Sequence, residues 1–297
     1  MPGRRGTGVQ PLDRDLAHTP EMIRDDDQPP MDVLAEANHA SLLRFLGHFP
    51  GALVDDQATH LRVWTGLASG FFNAVARARW TKEIAPAAVR SIATDLSARR
   101  APWRWYVGSA GGSEDLGRLL RSVGLTSTPA QTPMLLPLGP RVLPRLVAKV
   151  QPVPGLQASQ VRDRAAMTAW VAARATSNGW GDKTASAWLT MHLGLGFDEA
   201  EPLQHLVAHL DGRPVGTASV FLDVDGTAGI YHIEVVPDAR GKGIASWMTA
   251  AAIGLAADRG ASRVVLTATP LALGLYRRLG FTAQGSFTYF VDPLLGT

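Results

Sequence analysis

A glycine-bearing loop between an apolar strand and a helix is the part of this sequence best suited to bind a ligand. The strand ends at Pro237, and the loop that follows contains Gly241 and Gly243. Glycine lets a ligand approach the backbone closely, and the first amides of a helix have no partner within that helix. Those amides and the positive end of the helix dipole attract an anion, and Arg240 and Lys242 add positive charge. The segment therefore predicts a site for a phosphorylated ligand.

The spacing within this loop argues against two common phosphate-binding motifs. A P-loop requires serine or threonine directly after its Gly-Lys pair, whereas Gly243 follows Lys242 here. A dinucleotide-binding fingerprint requires glycine or alanine where Ser246 stands, and an acidic residue about twenty positions later that closes a second strand. Asp258 lies near that distance but inside the end of the same predicted helix. Because a Gly-x-Gly loop alone is a weak signal, the following residues decide its interpretation.

Two motifs in this region resemble the GCN5-related N-acetyltransferase (GNAT) superfamily. The pyrophosphate loop of that family reads Arg/Gln-x-x-Gly-x-Gly/Ala, and Arg240, Gly243 and Ala245 match it. The later family motif reads Asn-x-x-Ala-x-x-x-Tyr-x-x-x-Gly-Phe. Thr269 replaces its asparagine, and the remaining positions are filled by Ala272, Tyr276, Gly280 and Phe281. The motifs occur in the family's order, separated by one helix and one strand, and together they are specific.

The resemblance implies that acetyl-CoA is the cosubstrate and that no metal takes part. In the resembled family the amine attacks the thioester directly, without an acyl-enzyme. The end of the central strand pairs its backbone with the pantetheine arm of the cosubstrate, and a backbone amide there polarises the thioester carbonyl. The implied binding residues are Val235, Val236, Arg240, Gly241, Lys242, Gly243, Ile244, Ala245, Thr269 and Ala272.

Tyr276 is the candidate general acid of this reaction. A phenol can donate a proton to the departing sulfur, and such positioned proton transfer accelerates reactions about 10²–10⁴-fold. A free thiol has a pKa near 8.5, so the sulfur can leave as a thiolate without being protonated. Loss of the phenol therefore need not abolish activity. The alternative role of Tyr276 is packing of its helix against the sheet.

His232 and Glu234 are the candidate general bases that would deprotonate the amine. Alternation along the strand puts both side chains on one face. A carboxylate inside an apolar strand is costly to bury unless it has a partner or a use, and histidine titrates near neutrality. The alternatives are an arginine-paired glutamate and a hydrogen-bonded core histidine.

Four further residues have types that can do chemistry, but their patterns are less specific. His205 and His209 lie on one face of a predicted strand, and the lack of a third ligand favours a packed or solvated face over a metal site. Trp180 and Trp188 flank a glycine-rich loop between two predicted helices, where the resembled family shapes its acceptor pocket. They either line that pocket or pack in the core.

The composition is that of a globular protein of two domains. The chain has 297 residues, of which 46% are hydrophobic and 19% charged, and its formal net charge is only +3. It contains no cysteine, which excludes disulfides, thiolate metal ligands and a cysteine nucleophile. It also contains no Lys/Arg run that would indicate nucleic-acid binding. Neither an apolar run of about 18 residues nor a signal-like segment is found, so the default expectation is a cytoplasmic protein that does not bind a membrane.

The chain is predicted to form two tandem GNAT-like domains of mixed α/β fold. Residues 1–30 are expected to be a flexible tail, 31–139 a degenerate domain, 140–155 a proline-rich linker and 156–297 the catalytic domain. The endings of the halves align at residues 121–125 and 277–281, but Leu120 takes the place of Tyr276, and no glycine pair follows the strand that ends at Trp80. The first domain is therefore expected to shape structure or substrate binding and not to hold a pyrophosphate.

The predicted function is acetyl transfer to a primary amine, with a small molecule as the acceptor and a homodimer as one possible assembly. Two alternatives follow from the same resemblance. The protein could transfer another acyl group, or it could be a non-catalytic acyl-CoA sensor or partner-binding protein. Retention of Tyr276 argues against the sensor, since a pure binding module does not need the phenol.

Overall fold

The computed structural model describes residues 30–108 and 113–295, so the predicted tail lies outside the described residues except for Pro30. The elements of the first half are α1 (Met31–Leu46), β1 (Leu53–Gln57), β2 (His60–Trp64), β3 (Asn73–Ala76), α2 (Ala85–Ala98), β4 (Arg104–Gly108), α3 (Ser113–Ser122), β5 (Thr126–Ser127), β6 (Thr132–Pro137) and α4 (Val142–Lys149). The elements of the second half are β7 (Leu156–Gln160), α5 (Arg164–Asn178), α6 (Asp182–Leu195), β8 (Leu203–Leu210), β9 (Arg213–Leu222), β10 (Thr227–Val235), α7 (Ile244–Asp258), β11 (Arg263–Ala268), α8 (Leu273–Leu279), β12 (Thr282–Ala283) and β13 (Phe287–Val291).

The proline-rich segment predicted as a linker contains a helix. Pro144 is the third residue of α4, within the first helical turn, where a backbone N–H has no acceptor in the helix and its loss costs little. Leu146 of α4 is only 1% exposed and joins the hydrophobic core that also contains Met248 of α7. Burial of this apolar face outweighs the helix-breaking signal that the prolines give in the sequence.

The strands form two mixed sheets. The first sheet has six strands in the order β1-β2-β3-β4-β13-β5, and the second has seven in the order β12-β6-β11-β10-β9-β8-β7. Pairing within the first sheet is antiparallel except between β3 and β4, and within the second it is antiparallel except between β10 and β11. Each half thus contains one parallel strand pair at the centre of its sheet. This arrangement confirms the predicted mixed α/β fold with two GNAT-like units.

The two sheets exchange strands across the predicted domain boundary. β6, from the first half, lies between β11 and β12 of the second sheet, where Leu136 pairs with Val264. β13, from the second half, lies between β4 and β5 of the first sheet, where Phe290 pairs with Trp105. Local periodicity could not reveal this exchange, because it says that a segment is a strand and not which strand it pairs with.

The parallel pair at the centre of the second sheet is short. β10 and β11 are paired only from Thr227/Arg263 to Gly229/Val265, after which the strands part. On its other side β10 stays paired with β9, with an irregularity between Tyr231 and Glu234. Within that bulge His232 has a positive φ of 58°, which is uncommon for a residue other than glycine. The bulge turns the side chains at the end of β10 toward the opening between the strands.

Helix α1 connects the two sheets through buried contacts. Asn38 of α1 is 1% exposed, and its Nδ2 donates to the carbonyl oxygen of Thr227 at 3.0 Å. The Tyr231 hydroxyl donates to Asn38 Oδ1 at 2.7 Å. These bonds fix α1 against the central strand of the second sheet. None of the helices in the described part of the chain combines the length and apolar character that a membrane crossing requires.

The contact between α1 and β10 requires glycine at position 229. A Cβ there would overlap Asn38 Oδ1 and would lie 2.8 Å from the Tyr231 hydroxyl. We expect Gly229→Ala to lower the free energy of unfolding by about 2–3 kcal/mol, because the overpacked atom must displace a buried hydrogen-bonded amide. Urea denaturation measures the change.

Gly254→Ala is the matched control for this substitution. Gly254 lies inside α7, and a Cβ there would meet no atom within 4 Å. Alanine should therefore leave stability unchanged or raise it by up to about 1 kcal/mol. Equal stability of the two variants would show that the contact at Gly229 is not tight.

Candidate active site

A cavity of about 700 Å³ opens where β10 and β11 part. The second half contributes the end of β10, the loop between α5 and α6, and residues from β11 to α8. The first half contributes side chains from α1, β4 and the 3-10 turn before β3, and the exchanged strand β13 completes the wall. From α1, the 3-10 turn (Gly70–Phe72) and its preceding residue, β4 and β13, the lining residues are His39, Ser69, Phe71, Arg104, Tyr106, Phe287 and Tyr289. Both halves of the chain thus build one cavity.

The loop predicted to bind a phosphorylated ligand has the backbone geometry of an anion site. A 3-10 turn (Pro237–Ala239) leads into it, and Gly241 and Gly243 have φ values of 78° and 82°. The first backbone hydrogen bond of α7 runs from Trp247 N to the Gly243 oxygen at 3.1 Å. Within the described chain the amides of residues 241–246 have no backbone acceptor. They are therefore available to a ligand at the positive end of the helix dipole.

Arg240 holds this loop in addition to adding charge to it. Its Nε donates to the Val235 carbonyl oxygen at 3.0 Å, and its Nη2 donates to the Ser177 carbonyl oxygen at 3.2 Å. These bonds tie the loop to the end of β10 and the end of α5. Lys242 is exposed on the loop, whereas Ile244 is buried beneath it. The sequence predicted charge at Arg240 but not its structural contacts.

Tyr276 lines the cavity together with Thr269 and Ala272. Its side chain is 7% exposed, and its ring meets that of Phe281 edge to face with centroids 5.8 Å apart. Burial raises the pKa of Tyr276 to about 12, so the phenol carries its proton at neutral pH. Tyr276 therefore both packs against its neighbours and lines the cavity, two roles that the sequence left as alternatives.

Glu234 is ion-paired with Arg174, one of the alternatives that the sequence left open. Arg174 Nη2 donates to Glu234 Oε1 at 2.9 Å, and Arg174 Nε donates to Oε2 at 3.1 Å. Asn178 Nδ2 donates to the same Oε2 at 2.6 Å. Both carboxylate oxygens are therefore engaged. Because three donors already occupy these oxygens, the contacts favour a positioning role.

Arg174 is the most enclosed charge of the site. It is 4% exposed, and its guanidinium carbon lies 4.9, 4.8 and 3.9 Å from the ring centroids of Trp170, Trp180 and Trp188. Burial lowers the pKa of Arg174, and the Glu234 carboxylate raises it in partial compensation. Sequence analysis missed Arg174. The available signal was its spacing of four from Trp170 on a predicted helix, which puts an arginine on the buried face.

His232 belongs to a buried chain of histidines. Its Nδ1 lies 3.1 Å from Ser219 Oγ, and the same hydroxyl lies 2.8 Å from His205 Nδ1. The ring of His192 meets that of His205 with centroids 4.5 Å apart. His232 Nε2 is buried without a hydrogen-bond partner among the described residues, and the residue lines the cavity. His232 is thus a hydrogen-bonded histidine, as one of the sequence alternatives had it, and it also lies in the wall of the cavity.

The remaining sequence candidates divide between site and core. Trp180 and Trp188 both line the cavity, and their rings stack with centroids 5.1 Å apart. His205 is a packed residue in contact with Trp170, whereas His209 on the same strand is only partly buried. In residues 30–108 and 113–295, no group of three or more His, Cys, Asp or Glu side chains is arranged to hold a metal ion.

A known family matches the second half of the chain. Residues 166–281 match the Acetyltransferase (GNAT) family. The matched region begins in α5 and ends just after α8, so it includes the loop, Tyr276 and the end of β10. No curated protein matches the chain.

Solved structures of the same fold cover both halves. A GCN5-related N-acetyltransferase from Kribbella flavida superposes with a TM-score of 0.62 at 19% identity, over 88% of this chain and 96% of that one. One from Sphaerobacter thermophilus gives 0.55 at 17% identity, over 86% and 92%. A tandem GNAT protein from the clavulanic acid biosynthesis pathway gives 0.51 at 13% identity, over 88% and 95%. At these identities the likeness shows the fold.

The family match and the fold together define the class of protein. Residues 166–281 match the GNAT acetyltransferase family, and the two halves together have the fold of a tandem GNAT arrangement. The chain therefore contains a GNAT acetyltransferase domain over residues 166–281. The resemblance identified from the two sequence motifs is confirmed.

The buried histidines predict how stability depends on pH. Burial lowers the pKa of His39 and of His205 to about 3, and it lowers the pKa values of His192 and His232 well below 6.5. The unfolded chain binds more protons than the folded one below pH 6.5, so stability falls as the pH decreases from there toward 3. At pH 5 each such histidine costs about 2 kcal/mol relative to pH 7.

Urea denaturation at pH 7.5, 6 and 5 tests this dependence. His205→Gln should reduce the pH slope of the unfolding free energy, because it removes one of the groups that gains a proton on unfolding. A slope that is flat between pH 7 and pH 5 in the unaltered protein would contradict the expectation.

Proposed function

We propose that this protein transfers the acetyl group of acetyl-CoA to the primary amine of a small molecule by direct attack on the thioester. One observation carries the proposal. Strands β10 and β11 part beyond Gly229, the cavity at that opening is lined by Tyr276 and His232, and the loop with the free amides follows β10 along the chain. An anionic ligand and an amine could meet in this opening without a change in the sheet.

The residues present fit acetyl-CoA. The unpaired amides of residues 241–246 suit a pyrophosphate, and the exposed Lys242 adds a charge at the same place. The parted edge of β10 suits the amide-rich pantetheine arm. Val236 N donates to Val215 O on the β9 side at 3.0 Å, so alternation along the strand turns the Val235 amide toward the opening. We assign to the Val235 amide the polarisation of the thioester carbonyl.

We assign the role of general base to His232. Its lowered pKa keeps the imidazole neutral at physiological pH, and its free Nε2 can accept the proton of the amine. This requires the Nδ1 proton to be donated to Ser219 Oγ, while the Ser219 hydroxyl donates to His205 Nδ1. The hydrogen-bond chain therefore supports the tautomer that the reaction needs.

Glu234 and Tyr276 receive different roles. Glu234 holds Arg174, and through it the tryptophans of the cavity wall, and we treat it as a positioning residue. Acetyl-CoA would supply the acetyl group as a thioester, and Tyr276 keeps a proton at its phenolic oxygen for the departing sulfur. Its presence beside His232 in one cavity supports an enzyme over a non-catalytic sensor.

The first half supplies the acceptor side of the cavity in this proposal. Among the described residues its lining includes Phe71 and Tyr106 but no carboxylate, which supports a small amine over a basic peptide. The lack of cysteine supports a cytoplasmic location. The proposed units remain residues 31–139 and 156–297 joined by 140–155, interlocked by the exchanged strands.

Calorimetric titration tests cosubstrate binding. We expect Gly243→Asp to weaken the binding of CoA and acetyl-CoA at least about tenfold, because its carboxylate repels the pyrophosphate. Gly260→Asp, which lies beyond the other end of α7 at a φ of 85°, is the matched control. A Cβ at Gly243 would lie 3.9 Å from Val153 Cγ2, and one at Gly260 would meet no atom within 4 Å, so both positions have room. Equal weakening in both variants, or none in either, would contradict the assignment of the loop.

Steady-state kinetics separate the catalytic roles. We expect Tyr276→Phe and His232→Gln to lower kcat about 10²-fold while the Kd for acetyl-CoA stays unchanged. Glu234→Gln should instead lower the unfolding free energy by about 2 kcal/mol, because Arg174 loses its charged partner. A large loss of kcat in Glu234→Gln without loss of stability would transfer the base to Glu234. Full activity of Tyr276→Phe would remove the phenol from the mechanism.

A further inference from the structure

Arg104 is a charged side chain of the cavity wall that the proposed reaction does not use. It is the first residue of β4, and its neighbours Trp103 and Trp105 are fully buried in the core of the first half. Because side chains alternate along a strand, Arg104 and Tyr106 face the opposite side, which is the cavity. An arginine between two core tryptophans was visible in the sequence, but its direction was not.

The guanidinium of Arg104 is held by packing. Its central carbon lies 4.4 Å from the ring centroid of Tyr289 on the exchanged strand β13. Its stem passes over Gly70, where a Cβ would lie 2.9 Å from Arg104 Cγ. The next residue, Phe71, meets the ring of His232 with centroids 5.2 Å apart. Arg104 is thus fixed in the same chamber as the proposed base.

None of the carboxylates in the described residues forms an ion pair with this cation. Within residues 30–108 and 113–295, Arg104 has no ion pair, and its Nε is buried without a hydrogen-bond partner. The polar group beside it is the neutral hydroxyl of Tyr106. Among the described residues that line the chamber, Glu234 is the sole carboxylate, and Arg174 already engages it. The cavity is therefore lined by two arginines and one carboxylate, which leaves one positive charge unbalanced.

Other unpaired polar atoms surround Arg104. Buried atoms without partners on chamber residues include His39 Nε2, Arg174 Nη1 and His232 Nε2. Arginine nitrogens can only donate, so the two arginines call for acceptor oxygens. Arg174 is nine-tenths buried or more, and the positive charge of Arg104 further lowers its pKa. An anion between them would relieve both the missing acceptors and the repulsion.

We propose that the acceptor of this enzyme is an amine that also carries a carboxylate, and that Arg104 binds this carboxylate. The inference rests on the proposed function, since it names the substrate class of the same site. The aromatic lining by Phe71, Trp180 and Tyr289 suits an apolar body between the two polar ends. Arg104 is thereby a specificity-determining residue, whereas His232 acts on the amine.

Matched acceptors test the proposal through turnover. L-phenylalanine and the ω-amino acids from β-alanine to 8-aminooctanoate are compared with their carboxamides by thiol release from acetyl-CoA. We expect at least one acid to exceed its amide at least about tenfold in kcat/KM, the range of one charge-assisted contact. Arg104→Gln should abolish this preference, because kcat/KM for the acids should fall to about the level measured for their amides in the same variant.

Arg121→Gln is the matched control variant. The Arg121 guanidinium lies over the ring of Phe290, the neighbour of Tyr289 on β13, with 5.8 Å to the centroid, and it is outside the chamber. This variant should keep the preference for acids. Amides used as well as acids by the unaltered protein would overturn the carboxylate inference and leave the proposed function standing.

A binding measurement separates this inference from the proposed function. 3-Phenylpropionate and 3-phenylpropionamide, which lack the amine, are titrated into the protein loaded with acetyl-CoA. We expect the carboxylate to bind at least about tenfold more tightly than the amide, and Arg104→Gln to remove the difference. Discrimination that persists without any turnover would contradict the proposed function alone. Equal binding of the two probes, or binding of neither, would overturn the carboxylate site.

Discussion

The site depends on a sheet that opens at its centre. Beyond Gly229 the edge of β10 that faces β11 loses its ladder partner, although the strand itself continues to Val235. Backbone polar groups inside a protein need partners, so an opening at this depth is stable only if a ligand or solvent enters it. The bulge at His232 lies on this stretch of β10, where residues 230–234 all line the cavity, and Arg240 is bonded to the Val235 carbonyl oxygen at the end of the strand.

The two halves of the chain divide the work of surrounding this opening. The second half provides the loop, the parted strands, Tyr276 and most of the aromatic lining, whereas the first half contributes Phe71, Tyr106 and Arg104. Residues 77–84, which follow β3, contain no glycine, so this loop lacks the counterparts of Gly241 and Gly243. The first half therefore has the sheet of the second half without its glycine loop, and it contributes shape and charge to the cavity.

Much of the fold followed from the sequence. The mixed α/β class, the strand, loop and helix around Gly241 and Gly243, and the helix that carries Tyr276 were all predicted from the residues and the two motifs. The exchange of β6 and β13 was not predictable, because pairing depends on segments far apart in the chain. The hydrogen-bond and ion-pair partners of single residues could not be predicted for the same reason. Arg174 reaches Glu234 only because α5 packs across β10, and Ser219 joins His232 to His205 only through the register of three strands.

The exchanged strands also constrain how the protein can be made. During synthesis β1 to β4 emerge first, but their sheet has a gap between β4 and β5 until β13 has been added, well over a hundred residues later. Contacts so distant in sequence close slowly, and an unfilled strand position is an exposed edge that can pair with another molecule. The interlock that joins both halves around one chamber thus makes the nascent first half dependent on protection until the second half has been synthesised.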